Sequence, residues 1–315
     1  MMLYFIKGPT HGWIAKMSRV AILALVMALA SWIPGNTGPS GSDYAYKRSK
    51  RIVALVEEAA ALIEREGEEA FPLFRKKGSK WFQGDTYLFV YDLAGKNIVH
   101  PAQPEFEGQN LIDLQDINGK PVIRLIIDKV TKHARGAGWV HYMWIRPEEI
   151  FPMWKSSYVL KTRAPSGKEY VIGSGVYNMK VEKQFIIEMV DDAAELIKLE
   201  GKAAFAEFRD KSSEFVFLDT YIFVIKLDGT AVVDPAFPSL EGRNLLDFKD
   251  AVGRHIVREM IDKLTVDSTW ISYMWPNAGE VKPSRRLAYL RKVRVGPETF
   301  IVGSGFSPAR PIWMK

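Results

Sequence analysis

"DTYLFVYDLAGKNIVHP", residues 85 to 101, returns as "DTYIFVIKLDGTAVVDP" at residues 219 to 235. In the first copy, two β-branched and aromatic runs, "TYLFVYD" and "NIVHP", flank Leu93-Ala94-Gly95-Lys96, the signature of a hairpin. Between Asp85 and Val130 about 22 of 46 positions are identical to those 134 residues on. "VEEAAALIEREGEEAFPLFR" from Val56 likewise matches "VDDAAELIKLEGKAAFAEFR" from Val190. Solenoid repeats run about 20 to 50 residues, so a period this long describes a whole unit with its own core and, potentially, its own site.

One unit can be read outward from the hairpin. Val53, Val56, Ala60 and Ile63 recur at helical spacing and predict an amphipathic helix over residues 50 to 67, ending near Gly67, with a further turn before Pro72. Asp116-Ile117-Asn118-Gly119 predicts a turn ahead of the helix "PVIRLIIDKVTKHA", in which Val122, Ile126 and Val130 share one face. Three strands follow: "WVHYMW", "SSYVLKT" and "YVIGSGVY". This order gives an α+β unit built on an antiparallel sheet, and the second unit repeats it. The expected boundaries are a leader at 1–30, a linker at 31–49, a first unit at 50–180, a second at 181–307 and a tail at 308–315.

The leader carries Lys7, Lys16 and Arg19 ahead of "VAILALVMALA", with Ala28-Leu29-Ala30 as small residues for a signal peptidase. The apolar run from Val20 to Ile33 is short of the roughly 20 residues of a spanning helix, which favours cleavage near Ala30 and a periplasmic or secreted product. A retained leader would instead tether the chain to the membrane. Cleavage would lower the formal charge from +6 to about +3, weak support for a nucleic-acid partner. The chain has no cysteine, which excludes disulfides, a thiolate nucleophile and C-x-x-C-H haem attachment.

The pattern "YLFVYD", "HP", "EGQN", "NGK", "GAGWVHYMW", "KSSYV" and "VIGSGVY" resembles the type 2 single Cache domain found in extracellular parts of bacterial chemoreceptors and sensor kinases. The resemblance covers residues 50 to 178 and again 184 to 306. It implies two PAS-like units, each a long N-terminal helix on a five-stranded antiparallel sheet with a short connecting helix, and a pocket for a small molecule, often a short organic acid.

Strand periodicity marks the pocket face independently. Tyr87 and Phe89 share one face, as do Tyr142 and Trp144, and the repeat keeps them as Tyr221, Phe223, Tyr273 and Trp275. Four aromatics on a concave face make either a ligand wall or ordinary core packing. The resemblance further implies that His100 and the lysine of "K-x-x-Y", Lys155 with Tyr158, converge on a carboxylate. In the second unit Asp234, Arg286 and Tyr289 stand at those places, so Asp234 is expected to neutralise Arg286 and repel an acid. That unit is then structural, or takes an amine-bearing or neutral ligand.

Other chemistries are poorly supported. The five histidines form no H-E-x-x-H set, Asp113, Asp116 and Asn118 lack EF-hand spacing, and Ser174 lies in "GSG" rather than a nucleophile elbow. No enzyme activity, cofactor or metal is expected. Gly173-Ser174-Gly175 and Gly303-Ser304-Gly305 imply a bulge or a close backbone approach. The expected role is sensing, with a separate membrane receptor, sensor kinase or transporter as partner. The helices beginning near Arg51 and Glu182 are the expected contact surfaces for that partner. Two alternatives are a soluble delivery protein, and an interaction module whose units form a homodimer through their long helices without binding a small ligand.

Overall fold

The computed structural model describes residues 43–277 and 280–308. The leader and its cleavage site, most of the linker and the C-terminal tail lie outside the described residues.

Helix α1 (Lys47–Glu66) forms where apolar residues recur every three to four positions, and it buries Ile52, Val53, Val56, Ala59, Ala60 and Ile63. Burying each Ile or Val contributes about 1.5 to 3 kcal/mol, so tertiary packing holds this helix. It stops at Gly67, whose φ of 63° few other residues adopt and whose N–H returns to the Ile63 carbonyl. Helix α2 (Phe71–Arg75) then buries Phe71 and Phe74.

The first sheet comprises β2 (Thr86–Asp92), β3 (Asn97–Val99), β4 (Ala137–Ile145), β5 (Pro152–Arg163) and β6 (Glu169–Tyr177), in the order β3-β2-β6-β5-β4 and antiparallel throughout. A two-residue strand, β1 (Phe82–Gln83), also pairs with β2, an element absent from the sequence reading. Alternation divides the sheet cleanly. Leu88, Val90, Tyr158, Leu160 and Ile172 pack on the α1 side, whereas Tyr87, Phe89, Tyr91, Tyr142 and Val159 pack with helix α3 (Val122–Thr131) on the other.

The "GSG" of β6 sits in an unbroken ladder, without a bulge. A Cβ at Gly173 would lie 2.5 Å from Phe89 Cζ; one at Gly175 would lie 2.9 Å from Lys155 Cε and closer still to Ser157 Oγ. Both glycines are therefore gaps through which pocket-face side chains of neighbouring strands pass. Of the two expected explanations, close approach is the one observed.

The second unit repeats the plan with α4 (Lys183–Glu200), α5 (Ala204–Arg209), β7 (Val216–Phe217), β8 (Thr220–Tyr221), β9 (Phe223–Lys226), β10 (Ala231–Val233), α6 (Ile256–Lys263), β11 (Ser268–Pro276), β12 (Pro283–Val295) and β13 (Glu298–Phe306). Its main sheet runs β10-β9-β13-β12-β11, and the counterpart of β2 is split between β8 and β9.

Helix α4 is buried on two faces. One packs on β12 and β13, while Phe185, Glu188 and Asp192, spaced three and four apart, meet the first unit. Phe185 lies 4.9 Å from the Trp139 ring, Glu188 accepts the Tyr44 hydroxyl at 2.7 Å, and Asp192 pairs with Lys129 at 2.9 Å and with Arg135. Lys129 and His133 also reach Glu214, the latter at 3.0 Å. The expectation that the helix near Glu182 is a surface for partners is corrected here: its apolar and charged positions join the two units. Among the described residues, no helix is long and apolar enough to cross a membrane.

Candidate functional site

Strand register builds the first-unit site. Lys155 in β5 faces Tyr142 in β4 on one side and Tyr177 in β6 on the other, so three pocket-face side chains meet in one row. The Lys155 side chain is 1% exposed. Its ammonium donates to the Tyr87 hydroxyl at 2.8 Å and lies 4.0 Å from the centre of that ring, with the Tyr177 and Phe89 rings at 5.2 and 5.5 Å. The Tyr87 and Tyr177 hydroxyls are 3.3 Å apart, and Tyr177 donates to the Ile145 carbonyl at 3.0 Å.

Among the described residues Lys155 forms no ion pair. Asp85, the carboxylate whose charge acts on it, is bound by Arg146 at 3.0 Å. Burial lowers the Lys155 ammonium to about 7, against the charge of Asp85, which pulls the other way. An ammonium offers three donors, and Tyr87 uses one. The arrangement is thus a buried cation with donors to spare and no counter-ion.

His100 ends the strand of "NIVHP", where the chain turns before Pro101, and its ring is held between Tyr87, Phe106 and Trp144 at 5.1, 5.6 and 6.1 Å. Its backbone N–H donates to Glu107 at 2.9 Å, while its buried Nδ1 has no hydrogen-bond partner. Burial, and then the Lys155 charge, push the imidazole down to about 3, so it is neutral at neutral pH. A neutral imidazole carries one N–H, and in the Nδ1–H tautomer that donor faces no acceptor of the protein.

Lys155 and His100 line one cavity with Phe89, Tyr91, Tyr142, Trp144 and the α3 residues Val122, Ile123 and Ile126. Its volume is about 10 Å³, room for about one water. Of the sequence-predicted residues, Phe89, His100, Tyr142, Trp144 and Lys155 are in this wall, and Tyr87 lies beneath Lys155 as its support. The polar tips of the wall are fixed from behind: Tyr142 shares a 2.8 Å hydrogen bond with Ser157, and Trp144 donates to Gln103 at 2.9 Å. Tyr158 is a correction. It lies on the α1 side of the sheet, 5.6 Å from the Trp139 ring, because residues three apart on a strand point to opposite faces. Tyr289 repeats this, packing on Trp270 at 5.3 Å.

Two groups of lining residues lie beyond the sequence expectation. Tyr91 continues the alternation of Tyr87 and Phe89 and is legible from parity, whereas the apolar face of α3 becomes a wall of the cavity only in the folded unit. Tyr177 does not line the cavity; register brings it beside Lys155.

The second unit holds its charges differently. Tyr221, Phe223, Asp234, Tyr273 and Trp275 line a cavity of about 40 Å³ from which Arg286 is absent. The Arg286 guanidinium, 2% exposed, donates to Asn277 Oδ1 at 2.8 Å, to the Asp219 carbonyl at 2.8 Å, to the Asp219 carboxylate at 3.4 Å and to the Gly305 carbonyl. The expected pairing of Asp234 with Arg286 does not form. Arg286 pairs with Asp219 because Asn277 stands where the first unit has Arg146, leaving the Asp219 carboxylate open.

The aspartates ahead of α3 serve as turn formers. Asp116 accepts the N–H groups of Asn118, Lys120 and Met143 at 2.8, 3.0 and 2.8 Å, and Asp113 pairs with Arg124. His133, Asp192 and Glu195 lie close enough to hold a metal ion, but Lys129 and Arg135 already neutralise Asp192, so their chemistry does not fit one.

Comparison with known proteins agrees with this architecture. The family profile described as "Cache domain" matches residues 45–308, across both units. The methyl-accepting chemotaxis protein McpP of Pseudomonas putida is 31% identical over 134 residues, 42% of this chain and 24% of that protein. The sensor histidine kinase MctS of Rhizobium johnstonii is 26% identical over 196 residues, 62% of this chain and 40% of that protein. The chain therefore spans less than half the length of either relative. A solved Cache chemosensory domain, described for its carboxylic acid recognition, is 27% identical over 41% of this chain and 92% of its own, with a TM-score of 0.35. The chain belongs to the Cache family of extracytoplasmic sensor modules, which bind ligands and signal rather than catalyse.

Proposed function

We propose that the first unit senses a short organic acid, whose carboxylate takes Lys155 as its counter-ion and His100 as a second donor. The observation that carries this is the buried Lys155 ammonium, which has donors to spare and no carboxylate partner. Each charge-assisted hydrogen bond to the guest contributes about 1.5 to 3 kcal/mol, so two or three hold a small acid. The aromatic wall of Phe89, Tyr142 and Trp144 takes its short alkyl end.

A cavity of about 10 Å³ admits such a guest only if a wall moves. The sheet side is fixed by its ladders, whereas the opposite wall is one face of α3. The end of that helix carries Lys129, and His133 follows, both tied to Asp192 and Glu214 of the second unit. Ligand entry is thereby felt at the junction between units, from which a membrane receptor or sensor kinase reads it. Export by residues 1–30 with cleavage near Ala30 belongs to this reading; the mass of the exported product tests it.

The direct test is thermal unfolding of the purified protein with acetate, propionate and butyrate, against their amides. A ligand at 100 times its Kd stabilises by about 2.7 kcal/mol. The acids, not the amides, should raise Tm. Lys155→Met should abolish the increment, while Arg286→Met lowers the baseline and keeps it. An acid increment that survives Lys155→Met overturns the assignment.

A further inference from the structure

The second-unit cavity is about 40 Å³, against about 10 Å³ in the first, and its chemistry is inverted. Arg286 does not line it: its guanidinium lies behind the wall, 5.7 Å from the centre of the Tyr221 ring, and donates to Asn277, Asp219 and Gly305. The carboxylate in the wall is Asp234, just past the end of β10 where the first unit has His100. One carboxylate oxygen of Asp234 accepts the Phe237 N–H at 3.0 Å, and among the described residues Asp234 forms no ion pair. Around it stand the rings of Tyr221, Phe223, Tyr273 and Trp275. Burial raises the Asp234 carboxyl to about 6, with Arg286 only a minor opposing influence.

A carboxylate that lacks a cation, set among four aromatic rings, is a receptor for a cation with a small apolar body. The carboxylate supplies the counter-charge, and the negative faces of the rings attract the same charge. An acid is disfavoured by Asp234, and a neutral molecule leaves its charge uncompensated. We infer that the second unit binds a small alkylammonium ion, with Asp234 as its counter-ion inside the cage of Tyr221, Phe223, Tyr273 and Trp275. The molecule would then read two ligands of opposite charge, one in each unit.

The test is isothermal calorimetry on the purified protein with propylammonium and tetramethylammonium, with propanol as the uncharged control and propionate as the probe of the first unit. At least one ammonium ion should bind saturably at pH 7.5, and propanol at least tenfold more weakly. Asp234→Asn keeps an acceptor for the Phe237 N–H but removes the charge; it should weaken ammonium binding at least tenfold and leave the propionate response as it was. Asp234→His, which installs the first unit's residue, is the second variant should the first fold poorly, and predicts the same loss. Lys155→Met should leave ammonium binding unchanged. No saturable ammonium binding, equal binding of propanol, or equal affinity in the Asp234 variant would each overturn the inference. Ammonium binding without a propionate response would leave this inference standing and sink the first-unit reading alone.

Discussion

The affinity of the first unit for an acid should depend steeply on pH, on one side only. The binding partners are protonated Lys155 and an ionised carboxylate. Burial lowers the Lys155 ammonium to about 7 in the free protein, and the guest's charge raises it again. Binding above pH 7 must therefore take up a proton, and the apparent Kd rises as 1 + 10^(pH − 7). That is about 11-fold at pH 8 and about 100-fold at pH 9, the latter about 2.7 kcal/mol. Between about pH 6.5 and 5.5 the Kd should change by less than about twofold, because Lys155 is mostly charged and a simple carboxylic acid is still mostly ionised. His100, held down to about 3, stays neutral across this window and adds no break near 6.5. Titration calorimetry of propionate from pH 5.5 to 9, in two buffers of different ionisation enthalpy, reads both the affinity and the proton. Uptake of about one proton at pH 9 is expected. An affinity flat from pH 6 to 9 would refute the reasoning, since it is the signature of a permanently charged arginine.

Two further outcomes follow from the same geometry. Lys155→Met keeps the buried stem and removes the charge, so it should raise the Tm of the free protein at pH 6, by about 1 to 3 kcal/mol of stability. The folded-state value lies below the unfolded one of about 10.4, so the cost of the charge is fully present below pH 7 and fades as pH rises through that window; thermal melts from pH 6 to 10 should show the two proteins converging. Gly175→Ala drives a methyl into Ser157 and the Lys155 stem and should cost about 1 to 3 kcal/mol together with the acid response, whereas Gly305→Ala, which meets Ala288 Cβ at 3.0 Å, should cost less; urea titration of both variants tests the ranking.

The fold was legible because it rests on local patterns: the period of 3.6 in α1, the period of 2 in β2 and the glycine that ends the helix. Parity alone also fixed which aromatics could share a face, and it should have excluded Tyr158 and recruited Tyr91. The two-residue β1 carries too few residues to show a period. What the sequence could not reveal is which partner each charge would choose. Asp234 and Arg286 look complementary as a pair, but Arg286 is a buried guanidinium with five donors, and the acceptors that satisfy it, Asn277, Asp219 and Gly305, come from three strand ends that meet only in the folded chain. For the same reason α4 looked like a free amphipathic helix; its second face is covered by residues such as Trp139 and Lys129, which lie 46 and more positions before Phe185.

The contrast between the units then reduces to one substitution at the rim. Asp85 and Asp219 are the same residue at the same strand end, yet Asp85 pairs with Arg146 at 3.0 Å and Asp219 pairs with Arg286 at 3.4 Å. Arg146 lies at the exposed end of β4, and by holding Asp85 it keeps a carboxylate away from Lys155; Asn277, which replaces it, can offer Arg286 an oxygen but cannot hold Asp219. The affinity of the first unit should therefore depend on a residue that does not line its cavity. In Arg146→Asn the charge of Asp85, which already acts on Lys155, is no longer neutralised. It should raise the Lys155 ammonium and serve as an internal counter-ion that competes with the guest. Two changes are expected together in the propionate titration: weaker binding at pH 6, by about tenfold, and a break in the pH profile moved above 7. A merely structural role for Arg146 would weaken binding and leave the break where it was, and that result would show that the rim pair does not set the charge state of the site.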